Sequence, residues 1–167
     1  MKQRNQGYKL LLEAIREIVI PKFLGDGFVL HPLDKEDLRS EMKYREPFGS
    51  LRRECPEGEQ VVDVQFYPDK QPKFTLDFVI APKEGVTLPW GDHVKVNQIR
   101  TAEMSVFYRL YANSFASPFG FSFFSSVSKD AAIKIANDAL IKSSEIEDFF
   151  SSRKIGKHIR ESINWKE

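Results

Sequence analysis

Residues 61–82, VVDVQFYPDKQPKFTLDFVIAP, are two apolar runs around a turn that holds two prolines, Asp69 and Lys70. Large apolar side chains alternate in both: Val62, Val64 and Phe66 in the first, Phe74, Leu76, Phe78 and Ile80 in the second. A period of two puts these on one side of a strand and the residues between them on the other. PDKQP has the turn chemistry of a hairpin. The pattern commits the middle of the chain to an antiparallel pair with one buried face. Closure about Lys70 sets Phe66 opposite Phe74, Gln65 opposite Thr75 and Asp63 opposite Asp77. Two facing carboxylates repel, by a few tenths to about 1 kcal/mol on an exposed face, so a cation is expected near them. The preceding strand, FGSLRREC, offers Arg52. A register with Leu51 opposite Val64 puts Arg52 beside Asp63, where one guanidinium can neutralise both acids. Arg52, Asp63, Asp77 and Gln65 then form a polar line on the outer sheet face. It reads as a cross-strand ion pair on a solvated sheet or as a site for a cation or polar ligand.

The flanks add helices. Leu11, Leu12, Ile15, Ile18, Val19 and Phe23 recur at helical spacing, which predicts a helix over about 8–23 that ends near Pro21 and Gly25. Residues 33–46 are dense in charge of both signs and read as a short solvated helix that Asp34 can cap. Residues 82–99 hold prolines and glycines with no sustained period, a connection long enough to be functional. Its Trp90 either plugs the edge of the core or, with His93, stands out as an anchor for a partner. Residues 103–112 fit a strand or a helix, with strand preferred for their β formers. GFSFFSS reads as a further strand. Ser128, and Ser144 with Glu147, mark helix starts in a C-terminal helical region of about 129–163. The expected fold is α+β: one domain over 1–167, with strands over about 28–126 in a single antiparallel sheet of four to five strands, and N- and C-terminal helices packed on one face.

Charge is nearly balanced, 25 Lys and Arg against 24 Asp and Glu, so there is no global pull toward nucleic acid or anionic membrane. The basic stretch around Arg153, Lys154, Lys157, His158 and Arg160 reads as a helix end whose cations suit the helix dipole, or as a nucleic-acid contact. The single cysteine, Cys55, allows no internal disulfide and fits a reducing, cytoplasmic setting. Charges inside the N-terminal apolar stretch speak against a signal peptide or membrane span. The three histidines lie far apart, and no zinc-ligand spacing, phosphate-cradling loop or nucleophile motif is present. No catalytic residue, metal or cofactor is therefore expected.

A first helix that runs into Gly27 and Phe28, an Arg-bearing strand at Leu51–Glu54, then VVDVQF, FTLDFVIAP and a helical C-terminus resemble small bacterial families of unknown function. Some such domains are similar to immunity proteins that neutralise a toxin. The resemblance implies a binding role and carries over no catalytic residue. The leading expectation is a non-enzymatic protein that engages a protein partner through its outer sheet face and the 82–99 loop. The alternatives are a small-ligand or cation-binding enzyme centred on Asp63 and Asp77, and nucleic-acid binding through the basic tail.

Overall fold

The N-terminal helix outruns its apolar stripe. In the computed structural model, which describes residues 2–122 and 126–165, α1 (Lys2–Ala14) passes through a π turn (Ile15–Val19) into α2 (Ile20–Gly25). Pro21 has no N–H to give, so a straight α-helix would be broken there. The wider turn just before it, in which the Ile20 N–H donates to the Ile15 carbonyl, takes up the fault and the helix continues. Tyr8, Leu11, Ile15, Val19 and Phe23 form its buried stripe.

β1 (Val29–His31) follows. The charged residues after it make one 3₁₀ turn (Asp37–Arg39) and one α turn, α3 (Met42–Arg45). Asp34 caps the first of these, its carboxylate accepting from the Glu36 and Asp37 amides at 2.8 Å. β2 (Ser50–Cys55), β3 (Gly58–Phe66) and β4 (Lys73–Pro82) form the central meander. A small ribbon, β5 (Val86–Thr87) with β6 (His93–Val94), leads into 3₁₀ turns at Val96–Gln98 and Thr101–Glu103. Then come β7 (Val106–Leu110), β8 (Phe119–Gly120), α4 (Lys129–Lys142), α5 (Ser144–Ser152) and β9 (Ile159–Ile163).

The fold is α+β, and among the described residues the main sheet has seven strands rather than four to five. Their order is β1-β2-β3-β4-β7-β9, with β8 also on β4, and every pairing is antiparallel. The β3–β4 register is the one the alternation dictates: Phe66 faces Phe74, Gln65 faces Thr75 and Asp63 faces Asp77. The turn between them closes because Asp69 and Lys70 both adopt positive φ, 57° and 52°. Residues 103–112 contain a strand, as their β formers favour.

The C-terminal helices end earlier than expected. Arg153 stops α5 in the left-handed conformation, φ 60°, and its guanidinium donates to the Phe149 and Phe150 carbonyls. The stretch read as helix to 163 instead pairs with β7, burying Ile159 opposite Leu110. Of the strand expected at GFSFFSS, the structure shows Phe119–Gly120, and residues 123–125 lie outside the described part.

The sheet is covered on both faces. On one, Val62, Val64, Phe66, Phe74, Leu76 and Phe78 pack beneath α1, α2, α4 and α5. On the other, Val61, Val79, Ala81 and Phe107 make a smaller core with Ile99, joined by Val86, Val94, Val96 and Met104 from the segment 86–104. The face expected to be solvated is therefore roofed by its own chain.

Candidate functional site

Beneath that roof lies a polar layer. Asp63 and Asp77 are both buried, with 0% and 2% of their surface exposed. Each has its own partners. Asp63 Oδ2 accepts from the Thr101 amide at 2.9 Å and the Thr101 hydroxyl at 2.7 Å. Asp77 accepts a two-point fork from Arg109, Nε to Oδ1 at 2.7 Å and Nη2 to Oδ2 at 2.6 Å, and the Thr75 hydroxyl at 3.0 Å. Arg109 stands directly across from Asp77 on β7, so strand pairing alone delivers the fork.

Arg52 does not take the place expected for it. Cys55 pairs with Gly58, leaving only Pro56 and Glu57 in the β2–β3 turn. This sets Ser50 opposite Asp63 and Arg52 two pairs further along, opposite Val61. Arg52 stays on the same face, where it donates to Glu59 at 2.7 Å and to the Val96 and Ile99 carbonyls. It is a clasp that holds the roof to the sheet.

A third buried carboxyl, Glu46, completes the layer and lay outside the sequence reading. It leaves α3 toward the sheet, with 2% of its surface exposed. Gly49, at φ 69°, then turns the chain into β2; a Cβ there would meet the His31 carbonyl oxygen at 2.1 Å. Gln65, the fourth predicted site residue, faces Glu46: its amide nitrogen donates to Glu46 Oε1 at 2.9 Å and its oxygen accepts from Arg45 at 3.2 Å. Glu46 Oε2 is buried without a hydrogen-bond partner, as is Asp63 Oδ1.

Arg100, also unforeseen, approaches Glu46 from the roof. Its Nη1 lies 2.9 Å from Asp37 and 3.7 Å from Glu46, its Nη2 lies 3.7 Å from Glu103, and its own amide donates to Glu103 at 2.7 Å. Burial, reinforced by the charge of Asp63, pushes the Glu46 carboxyl up to about 8, with Arg100 pulling the other way. The balance at Glu46 favours the neutral carboxyl over the charged one. Burial also raises Asp77, against the opposing hydrogen bonds from Arg109 and Thr75. For Arg109, burial disfavours the charge, but Asp77 more than offsets it and the guanidinium titrates higher than usual.

A cavity of about 160 Å³ opens onto this layer, with Arg45, Glu46, Gln65, Asp77, Thr101 and Arg109 among its walls. Among the described residues, no three His, Cys, Asp or Glu side chains are grouped to hold a metal ion.

The other predicted site residues, Trp90 and His93, sit on the β5–β6 ribbon far along the roof. Trp90 does not plug the core: 68% of its surface is exposed. Its indole N–H donates to Asp92 at 2.9 Å, and its ring centre lies 6.4 Å from that of Trp165. The tip is fixed by backbone bonds of 2.8 Å from Leu88 to Asp92 and from Gly91 to Leu88. His93 is exposed beside it.

The basic stretch is engaged locally. Arg153 pairs with Glu57 at 2.5 Å, Arg160 donates to the carbonyls of Ser114, Lys157 and Ile159, and His158 meets Glu145 at 2.5 Å. Among the described residues, no helix is long and apolar enough to cross a membrane. Comparison with protein-family models, with curated proteins and with solved structures found no match to this chain.

Proposed function

We propose that this is a binding protein that presents the β5–β6 ribbon to a protein partner, with Trp90 as the anchor and Trp165 and His93 beside it. One observation carries the reading: a tryptophan held out to solvent on a hydrogen-bonded tip whose base is bolted to the sheet by Arg52 and the small core around Ile99. A large aromatic on a rigid support loses little conformational freedom on docking, and such residues dominate binding energy at protein interfaces. With the sheet face roofed, the outward side of the roof replaces the open face as the docking surface. The resemblance to immunity-like bacterial domains suggests inhibition of a toxin as the role, and the lone cysteine suits a cytoplasmic setting.

Affinity capture from native-cell lysate tests this, with wild type and Trp90→Ala as paired baits. Trp90→Ala is expected to melt within about 0.5 kcal/mol of wild type, since it is an exposed substitution, and to lose at least one protein that wild type retains. Identical retention by both baits would count against the ribbon as the contact.

A further inference from the structure

A groove between α1 and α3 has no part in the proposed docking. Asn5, Tyr8, Lys9 and Leu12 line it from α1. Their spacing of i, i+3, i+4 and i+7 is one helix face, so the groove follows α1 for two turns, about 10 Å. Lys43 and Tyr44 of α3, Pro47 just after it, and Lys70 of the β3–β4 turn make the rest of the wall. Tyr8 ties the two helices together. Its buried ring stands edge-on to Phe66, centres 4.8 Å apart, and its hydroxyl donates to the Tyr44 carbonyl at 3.0 Å. The wall is mostly apolar and the space is about 410 Å³, within the range of about 300–1,000 Å³ of small-molecule pockets.

The charge of this wall has one sign. Lys9, Lys43 and Lys70 are its charged residues. Among the described residues no carboxylate, those of Glu13, Glu41 and Asp69 included, lies within 4.0 Å of their ammonium groups. Lys43 and Lys70 both rest against the Tyr44 ring, with Nζ 5.1 and 4.1 Å from its centre. The ring face attracts the two like charges to one place but does not neutralise them.

We infer that this groove binds a free fatty acid of medium chain length, its alkyl chain lying along Tyr8, Leu12 and Pro47 and its carboxylate meeting the lysine ammonium groups. The chain takes the apolar wall out of water. The carboxylate has only acceptors to offer, and each ammonium is a mobile point charge with only donors, on a stem long enough to follow the head group. A small anion without a tail would leave the apolar wall wet. A neutral chain would leave the lysines without a counter-charge. A second copy of this chain, docked groove to groove, would set lysine against lysine. The two-turn length of the groove is what selects a medium chain.

Titration calorimetry on the full chain at pH 7 tests the assignment, with decanoate below its micelle concentration as the probe and decanol, decyltrimethylammonium and acetate as controls. One decanoate per chain is expected to bind, at least about tenfold more tightly than decanol or decyltrimethylammonium, with acetate giving no heat. Raising the salt concentration should weaken it. One exposed ion pair contributes little, but three around one head group add up, so Lys9→Gln, Lys43→Gln and Lys70→Gln combined should weaken decanoate at least about tenfold, and each alone by a smaller step. The three side chains are exposed or half-buried, so these variants should melt close to wild type. No binding of decanoate, equal affinity for decanol or decyltrimethylammonium, or an affinity that survives all three substitutions overturns the proposal. Retention on phosphatidylglycerol vesicles, or binding of a short polyglutamate, without binding of free decanoate would assign the groove to a membrane or an acidic peptide and overturns it too. None of these results depends on Trp90, so failure here leaves the ribbon reading standing.

Discussion

The energetics of the polar layer are set by single residues. Unfolded, Glu46 titrates near 4.5; folded, it titrates near 8. Between those values the folded chain holds a proton that the unfolded chain has released. Stability from this group is fully present below about pH 4.5, falls as pH rises, and levels off above about 8. Glu46→Gln keeps the shape and cannot lose a proton. The difference in stability between variant and wild type should therefore grow in favour of the variant across that window, by on the order of a few kcal/mol, as read by urea midpoints at each pH. Parallel curves would contradict the assignment. Arg109 poses the opposite case. Arg109→Leu leaves Asp77 buried without its fork and should cost about 3 kcal/mol, whereas adding Asp77→Leu should recover most of the loss. A double variant no better than the single one would show that Asp77 is satisfied by other groups.

At the scale of elements, the roof and the C-terminal strand show what hydrophobic pattern does and does not reveal. The β3–β4 register was readable because alternation and a closed turn leave one solution. The β2–β3 register was misread by two pairs, since Gly58 belongs to the strand and not to the turn, and this moved Arg52 away from Asp63 while keeping it on the same face. The roof was hidden because residues 83–104 touch the sheet through a few scattered side chains with no period. A trace of it was present all the same: Val61, Val79 and Ala81 are apolar residues on the face that carries the aspartates, and such a face needs a cover. Ile99 is the fully buried residue of that cover. Ile99→Ala should destabilise by about 2–4 kcal/mol in denaturant titration; a loss below about 0.5 kcal/mol would mean that the segment is not docked. The Ile159 strand was mistaken for helix because five residues with one buried position carry too little pattern to outvote neighbouring helices. Ile159→Ala should likewise cost about 2–4 kcal/mol.

For the molecule as a whole, the α+β class and the helix-covered face followed from the sequence, while the site did not. Asp63, Asp77 and Gln65 were legible as a group because strand geometry alone places them. Glu46 and Arg100 come from short irregular segments, whose positions depend on tertiary contacts that no local pattern encodes. The result is three layers: helices, an antiparallel sheet, and a roof laid over buried acids. The ribbon and the cavity both take their geometry from that third layer. Native-state hydrogen exchange reports on it directly, through the Thr101 amide that donates to Asp63. If the roof is an integral layer, this amide exchanges as slowly as the paired amides of β3 and β4, by global unfolding. If it exchanges as fast as the exposed ribbon tip around Trp90, the acids are not sealed and the account of the site is wrong.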